Sequence, residues 1–117
     1  MACLCVLVGC GDGGVAASPG AGQGASRERG QRLLAAYHCG SCHRIPGVAA
    51  ARSHLAADLG GYGQRSYIAG RWPNEPGTLA RWIADPAALA PGTLMPAMGV
   101  SSADAHDMAA YLMALHE

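Results

Sequence analysis

The sequence predicts an all-α fold, on three observations. Two segments, one near each end of residues 26–117, repeat apolar side chains at intervals of three and four positions, which is the period of a helix that packs on one face. A third segment between them carries helix start and stop signals. No convincing strand is found. At 117 residues the chain is long enough for one domain of modest size.

Residues 1–25 are predicted to precede the folded domain. Residues 1–10 form a short apolar run that resembles the end of a bacterial lipoprotein signal, in which Cys10 carries the lipid, although no positively charged segment precedes it. An ordinary cleaved export signal is the alternative, since the run is too short to span a bilayer. Residues 11–25 are rich in Gly and Ala, as in a flexible linker, so the folded domain is predicted over residues 26–117.

The first and last helices are predicted to cross. Ser26 is a plausible N-cap for a helix that runs to about His38, with its apolar stripe at Gly30, Leu33, Leu34 and Tyr37. Ser101 and Asp104 form a capping box for the last helix, whose stripe is Met108, Tyr111, Leu112 and Leu115. We expect Tyr111 to lie over Gly30; two unrelated amphipathic helices are the alternative.

The middle helix is predicted to begin after Asn74 as N-cap, with Pro76 in its first turn. Its apolar face is Leu79, Trp82 and Ile83. It is predicted to end at Asp85, because a residue before proline resists helical geometry. Residues 45–71 show no clear period and are interpreted as loops with short helical turns.

The sequence Cys39-Gly40-Ser41-Cys42-His43 is the pattern of covalent c-type haem attachment. Cysteines about one helical turn apart can form thioethers with the two vinyl groups of one porphyrin, and His43 is then placed as the proximal iron ligand. A zinc site would need a second ligand pair, but the other three cysteines lie within residues 1–10. A redox disulfide of the thioredoxin type would need a βαβ setting, which is not predicted here.

A second iron ligand is predicted in residues 91–99. A thioether sulfur favours ferrous iron, raises the potential of a His-ligated haem and leaves no open position for oxygen. The Pro-Gly sequence ahead of Met95 suits a rigid loop, so Met95 is the predicted ligand. Met98 is the alternative, with core filling its expected role. A bis-His haem through His38 or His54 also stays open.

The charge and motif content exclude other classes. The net charge is zero, and all eight basic residues are Arg, so no basic face for nucleic acid is predicted. No Ser-His-Asp set, paired carboxylates or phosphate-binding loop stands out. Any enzymatic activity would therefore have to come from the haem, and we expect an electron-transfer protein rather than an enzyme.

The order of these elements over residues 26–117 resembles class I, mitochondrial-type monohaem cytochromes c. The most specific matches are Cys39 to His43, residues 82–96, and Ala110-Tyr111-Leu112. Residues 40–47 and 67–70 are similar to bacterial cytochromes, and to cytochrome domains fused to oxidase subunits, that feed terminal oxidases. The resemblance implies a haem enclosed by loops, with the first and last helices crossing.

The resemblance also implies roles for single residues. Met95 matches the distal ligand, and Trp82 matches an aromatic beside the ligand sulfur and the haem edge. Arg65 and Thr93 match positions near a haem propionate, where a donor offsets the cost of burying a carboxylate.

The sequence departs from the family pattern in three places. The family usually has Gly-Pro ahead of the leucine matching Leu59, and that proline carbonyl accepts the N–H of the proximal histidine. Here Ala56-Ala57-Asp58 stands instead, so this loop lacks the rigidity that a proline gives. Gly30 stands one residue further from Cys39 than in the mitochondrial pattern. Because there is no Lys, a docking face must use Arg or be largely apolar.

We therefore predict a one-electron carrier in the periplasm or on the outer face of the cytoplasmic membrane. Its donor would be a quinol-oxidising complex or a dehydrogenase, and its acceptor a terminal oxidase or reductase. Two alternatives remain: a permanent haem subunit of a larger oxidoreductase, and a haem sensor or peroxidase-like enzyme in which Met95 leaves the iron.

Overall fold

A computed structural model of the protein describes residues 24–117. The four helices are α1 (Arg27–Ala36), α2 (Pro76–Ala84), α3 (Pro86–Leu89) and α4 (Ser102–Met113). Two short antiparallel strands, β1 (Tyr67–Ile68) and β2 (Trp72–Pro73), form a ladder that was not predicted. The all-α class is confirmed. The signal, Cys10 and all but the end of the linker lie outside the described residues. None of the helices in residues 24–117 has the length and apolar character needed to span a bilayer.

Helices α1 and α4 cross at Gly30, as predicted. A Cβ atom on Gly30 would lie 1.9 Å from the carbonyl oxygen of Asp107 and 3.0 Å from the amide nitrogen of Met108, so a side chain there is excluded. The prediction that Tyr111 lies over Gly30 is wrong. Tyr111 is one turn further along α4, and its hydroxyl donates a hydrogen bond to the Pro46 carbonyl at 2.6 Å. Spacing predicts which face is apolar, but the crossing point depends on where two backbones can approach.

Local capping begins both crossing helices. The Ser26 and Ser101 hydroxyls each accept a hydrogen bond from the amide three residues later, at 3.1 Å. The capping box of α4 is only half formed, because the Asp104 carboxylate accepts from the Tyr37 hydroxyl at 2.7 Å and pairs with Arg29. These hydrogen bonds, that from Tyr37 first, lower the pKa of Asp104. The Asp104 carboxylate therefore links α4 to α1 and does not cap the first turn of α4.

Helix α2 begins differently from the prediction. Its N-cap is Glu75, which makes no side-chain capping bond. The Asn74 amide instead donates to the carbonyls of Tyr62 and Arg65 at 3.1 and 3.0 Å, so its role as N-cap is corrected. These two bonds hold the Asn74 side chain against the preceding loop, and its Oδ1, the atom that would accept a capping bond, has no hydrogen-bond partner. The helix ends at Ala84, ahead of Asp85-Pro86, as predicted.

The core lies between α1, α2 and α4 and continues under the loops that precede α2. Its members in the helices are Leu34, Leu79, Ala80, Ile83, Ala105, Met108, Ala109 and Leu112, and its members outside them include Ile45, Leu59, Tyr62 and Ile68. No polar or charged residue is buried in residues 24–117. Both helical members of this core, such as Leu79 and Ile83, and loop members, such as Leu59, line the candidate site.

Candidate haem-binding site

The cysteine motif lies on a tight turn directly after α1. His38 has a left-handed backbone conformation (φ 59°), which ends the helical path and starts a 3₁₀ turn over Cys39–Ser41. The amides of Cys42 and His43 both donate to the Cys39 carbonyl, at 3.2 and 3.0 Å. Both thiols are free and partly buried, and burial raises the pKa of the Cys39 thiol. The turn thus presents two thiols and one imidazole within five residues.

The imidazole of His43 is oriented by a backbone carbonyl. Its Nδ1 lies 2.6 Å from the Ala57 carbonyl oxygen. A carbonyl can only accept, so Nδ1 carries the proton, and the lone pair of Nε2 is left for a metal. Ala57 stands where the family pattern has the proline carbonyl. The missing Gly-Pro pair therefore does not remove this hydrogen bond.

A cavity of about 390 Å³ opens beside His43. Its lining is mainly apolar and includes Cys42, Leu55, Leu59, Tyr62, Arg65, Tyr67, Trp82, Leu94 and Met95. A second, smaller cavity of about 60 Å³ lies against the helical core and is lined by Cys39, Leu79, Ile83, Met108 and Leu112 among others. Five residues line both cavities: His43, Leu59, Tyr62, Trp82 and Met95. The two candidate iron ligands therefore share one continuous apolar site.

Met95 and Met98 lie in different environments in the fold. Met95 lines both cavities, and its amide donates a local hydrogen bond to the Thr93 hydroxyl at 3.3 Å. Met98 lines neither cavity and is 45% exposed. The expectation that Met98 fills the core is wrong, because Val100 takes the buried position in this segment. His38 and His54 also line neither cavity, which disfavours a bis-His haem.

The other predicted site residues lie at different distances from the cavity. Trp82 lines both cavities. Arg65 lines the larger one, with its guanidinium over the Tyr62 ring at 4.9 Å and hydrogen-bonded to the Asp58 carbonyl. Thr93 does not line either cavity and contacts the Met95 backbone instead. The roles of Arg65 and Thr93 toward a propionate stay predictions.

Residues 45–71 were predicted as loops, but Tyr62 was not identified from the sequence as part of the cavity wall. Tyr62 is buried there, between two glycines that let the loop press on the end of α4. A Cβ atom on Gly63 would lie 2.2 Å from the Met113 carbonyl oxygen, and the Gly63 amide donates to Leu115 at 2.8 Å. The Gly60-Gly61-Tyr62-Gly63 sequence was the available signal, since three glycines around one aromatic indicate close backbone approach.

The residues present fit a c-type haem. The site offers two free thiols on one turn, one imidazole with a single available nitrogen, a thioether and an apolar lining. Within residues 24–117, no group of three or more His, Cys, Asp or Glu side chains could hold a metal ion without a porphyrin, so the zinc alternative gains no support.

Comparison with known proteins gives two findings. The family model for cytochrome c matches residues 27–116. The chain is also 32% identical over 88 residues, or 74% of its length, to cytochrome c oxidase subunit 2 of Alkalihalophilus pseudofirmus. The matched region is 25% of that protein, so the chain spans about a quarter of the length of this curated relative.

Proposed function

This chain belongs to the cytochrome c family, and on that premise we propose that it is a one-electron carrier with its haem iron held between His43 and Met95. Membership confirms the resemblance and implies a covalently bound c-type haem. Cys39 and Cys42 stand at the positions expected for its attachment. It also places the chemistry of the chain in haem-based electron transfer. The single observation that supports the ligand pair is that His43 and Met95 line both cavities of the site.

The haem, when bound, supplies a one-electron iron couple. The chain holds the iron ligands still and keeps water away. The Ala57 carbonyl fixes the tautomer and ring orientation of His43, which leaves Nε2 as the donor atom. The Thr93 hydroxyl restrains the loop that carries Met95. Because the apolar lining is built on packed residues such as Leu59 and Trp82, both ligands keep their positions when the charge of the site changes.

The test is the absorption spectrum of oxidised and reduced protein, with Met95→Ala and Met98→Ala beside the wild type. We expect the far-red sulfur-to-iron band in oxidised wild type, complete loss of it in Met95→Ala, and no change in Met98→Ala. Met98 is the matched control, since it lies three residues away but outside both cavities. A band that survives Met95→Ala contradicts the ligand assignment.

Carbon monoxide separates the carrier from a sensor or peroxidase-like enzyme. In a carrier, both axial positions are filled by the protein, so the reduced wild type should bind carbon monoxide slowly or not at all. Met95→Ala should bind it rapidly, because one position is then open. Rapid binding by the wild type would show that Met95 leaves the iron.

A permanent haem subunit is the second candidate, supported by the similarity to one quarter of an oxidase subunit 2. In this version the chain passes electrons to a terminal oxidase while it stays bound to the oxidase. The free carrier would instead exchange between a quinol-oxidising complex or dehydrogenase and a terminal oxidase or reductase. A stoichiometric partner that co-purifies after detergent extraction favours the subunit.

We further propose a location in the periplasm or at the outer face of the cytoplasmic membrane, with a lipid on Cys10. The support is the apolar run that ends at Cys10 and the oxidase relationship. Fractionation of cells that express the wild type or Cys10→Ser tests this. We expect the wild type with the membranes and Cys10→Ser released; equal distribution of both contradicts the lipid anchor.

A further inference from the structure

The loop that carries the Ala57 carbonyl is fastened at two points to the turn that carries His43. The Ala56 amide donates to the Cys42 carbonyl at 2.8 Å, and the Leu59 amide donates to the Arg44 carbonyl at 2.9 Å. Residues 57 and 58 lie between these two bonds and are not part of the backbone pairing. Nothing in the backbone bonds therefore sets the direction of the Ala57 carbonyl.

Asp58, the residue after Ala57, is held by several hydrogen bonds. The Ala57 carbonyl belongs to the peptide unit that ends at the Asp58 nitrogen, so fixing Asp58 fixes this peptide plane. One guanidinium nitrogen of Arg44 lies 2.8 and 2.9 Å from the two carboxylate oxygens of Asp58. The same carboxylate accepts from the Gly60 amide at 2.7 Å, and the Asp58 carbonyl accepts from Arg65. Asp58 is thus held at both its side chain and its backbone.

We propose that the Arg44–Asp58 ion pair is a positioning device for the proximal ligand, which replaces the rigidity of the absent proline and holds the Ala57 carbonyl on His43 Nδ1–H. The proposal rests on His43 as iron ligand. Arg44 follows the donor His43, and Asp58 follows the acceptor Ala57. The ion pair therefore links the two segments directly beside the hydrogen bond. Both side chains are 45% exposed, and an ion pair of that exposure adds little to global stability. Its effect is therefore local.

The consequence is a change in the reduction potential. A hydrogen bond from Nδ1–H to a carbonyl makes the imidazole a stronger donor at Nε2, which favours ferric iron and lowers the potential. Loosening the Ala57 carbonyl therefore raises the potential. Charge alone acts differently, because removing the Arg44 cation stabilises the ferric state, whereas removing the Asp58 anion destabilises it.

Positioning and charge therefore predict opposite changes in the reduction potential of an Arg44→Ala variant, and an experiment can distinguish them. The reduction potential of the haem-loaded protein is measured for wild type, Arg44→Ala, Asp58→Ala and the conservative control Arg44→Lys. Positioning predicts a higher potential in both alanine variants and little change in Arg44→Lys. A second readout is the solvent exchange of the His43 Nδ1–H by NMR, expected to become about fivefold to tenfold faster in both alanine variants, as for loss of one ordinary hydrogen bond.

The outcomes are distinct. A lower potential in Arg44→Ala with a higher one in Asp58→Ala, or unchanged exchange in both, overturns the positioning role while the carrier function stands. A wild type without a histidine-ligated haem overturns both proposals. If Asp58→Ala does not load haem, Asp58→Asn, which keeps an acceptor for the Gly60 amide, is measured in its place with the same expected direction. Retention of the far-red band in each variant shows that the distal side is intact.

Discussion

Replacing Gly30 by alanine is expected to destabilise the protein through the crossing of α1 and α4. The new Cβ atom would lie 1.9 Å from the Asp107 carbonyl oxygen, whereas ordinary contact begins at about 3.4 Å. The obstacle is helix backbone, which cannot rotate aside as a side chain does. The two helices must therefore separate locally by about 1.5 Å, which loosens the packing of Leu34 and Met108.

The magnitude follows from two opposing effects. Overpacking of a core usually costs about 1–3 kcal/mol, and a backbone obstacle places this substitution near the upper value. Alanine recovers about 1 kcal/mol through its higher helix propensity. The net loss in the free energy of unfolding is therefore about 2 kcal/mol. For a domain of this size that corresponds to a fall of about 10 °C in Tm.

The assay is guanidinium unfolding of the haem-loaded protein, followed by circular dichroism, with Gly77→Ala as the matched control. Gly77 also lies in a helix, α2, but a Cβ atom there meets nothing within 4 Å. Gly77→Ala should be neutral or more stable, by up to about 1 kcal/mol. If Gly30→Ala is as stable as Gly77→Ala, the close crossing is not a constraint and the reasoning is refuted.

Two further predictions concern the polar contacts of the same helices. The pKa of Asp104 is lowered by hydrogen bonds from Tyr37 and Arg29, so its contribution to stability is fully present above the unfolded value of about 3.9 and is lost as the pH falls through the folded value. The pH dependence of the urea midpoint below about pH 4 should be shallower in Asp104→Asn than in wild type, and equal slopes would contradict this. Tyr111→Phe removes the 2.6 Å hydrogen bond to the Pro46 carbonyl and should cost about 1 kcal/mol in urea unfolding, with the far-red band unchanged; an unchanged midpoint would show that the bond adds nothing.

Local chemistry explains which elements could be predicted. Ser26 and Ser101 cap their helices because a hydroxyl reaches an amide only three residues away, and no distant partner is needed. The end of α2 before Pro86 is likewise a property of two adjacent residues. Asn74 has the same capping chemistry as serine, but its amide bonds to carbonyls 9 and 12 residues earlier, which only the folded chain brings near.

The site residues also fall into two groups, those that the local sequence predicts and those that depend on tertiary packing. The spacing of Cys39, Cys42 and His43 is itself the haem signal, because all three act from one turn. The preference for Met95 over Met98 rests on the preceding Pro-Gly segment and stays a prediction, although Met95 lines both cavities and Met98 lines neither. The exposure of Met98 was not predictable, since it depends on which residue of this segment occupies the buried position, and that residue is Val100.

The sequence by itself determined the all-α class, the haem attachment turn and the N-caps of the first and last helices, since each depends on residues within about one helical turn. Only the tertiary structure decided that Asp107, rather than Tyr111, faces Gly30, and that Ala57 supplies the carbonyl for His43 across 14 residues. Contacts of that kind depend on how close two backbones can approach and on which groups compete for one partner. Neither property can be predicted from the spacing of residues along the chain.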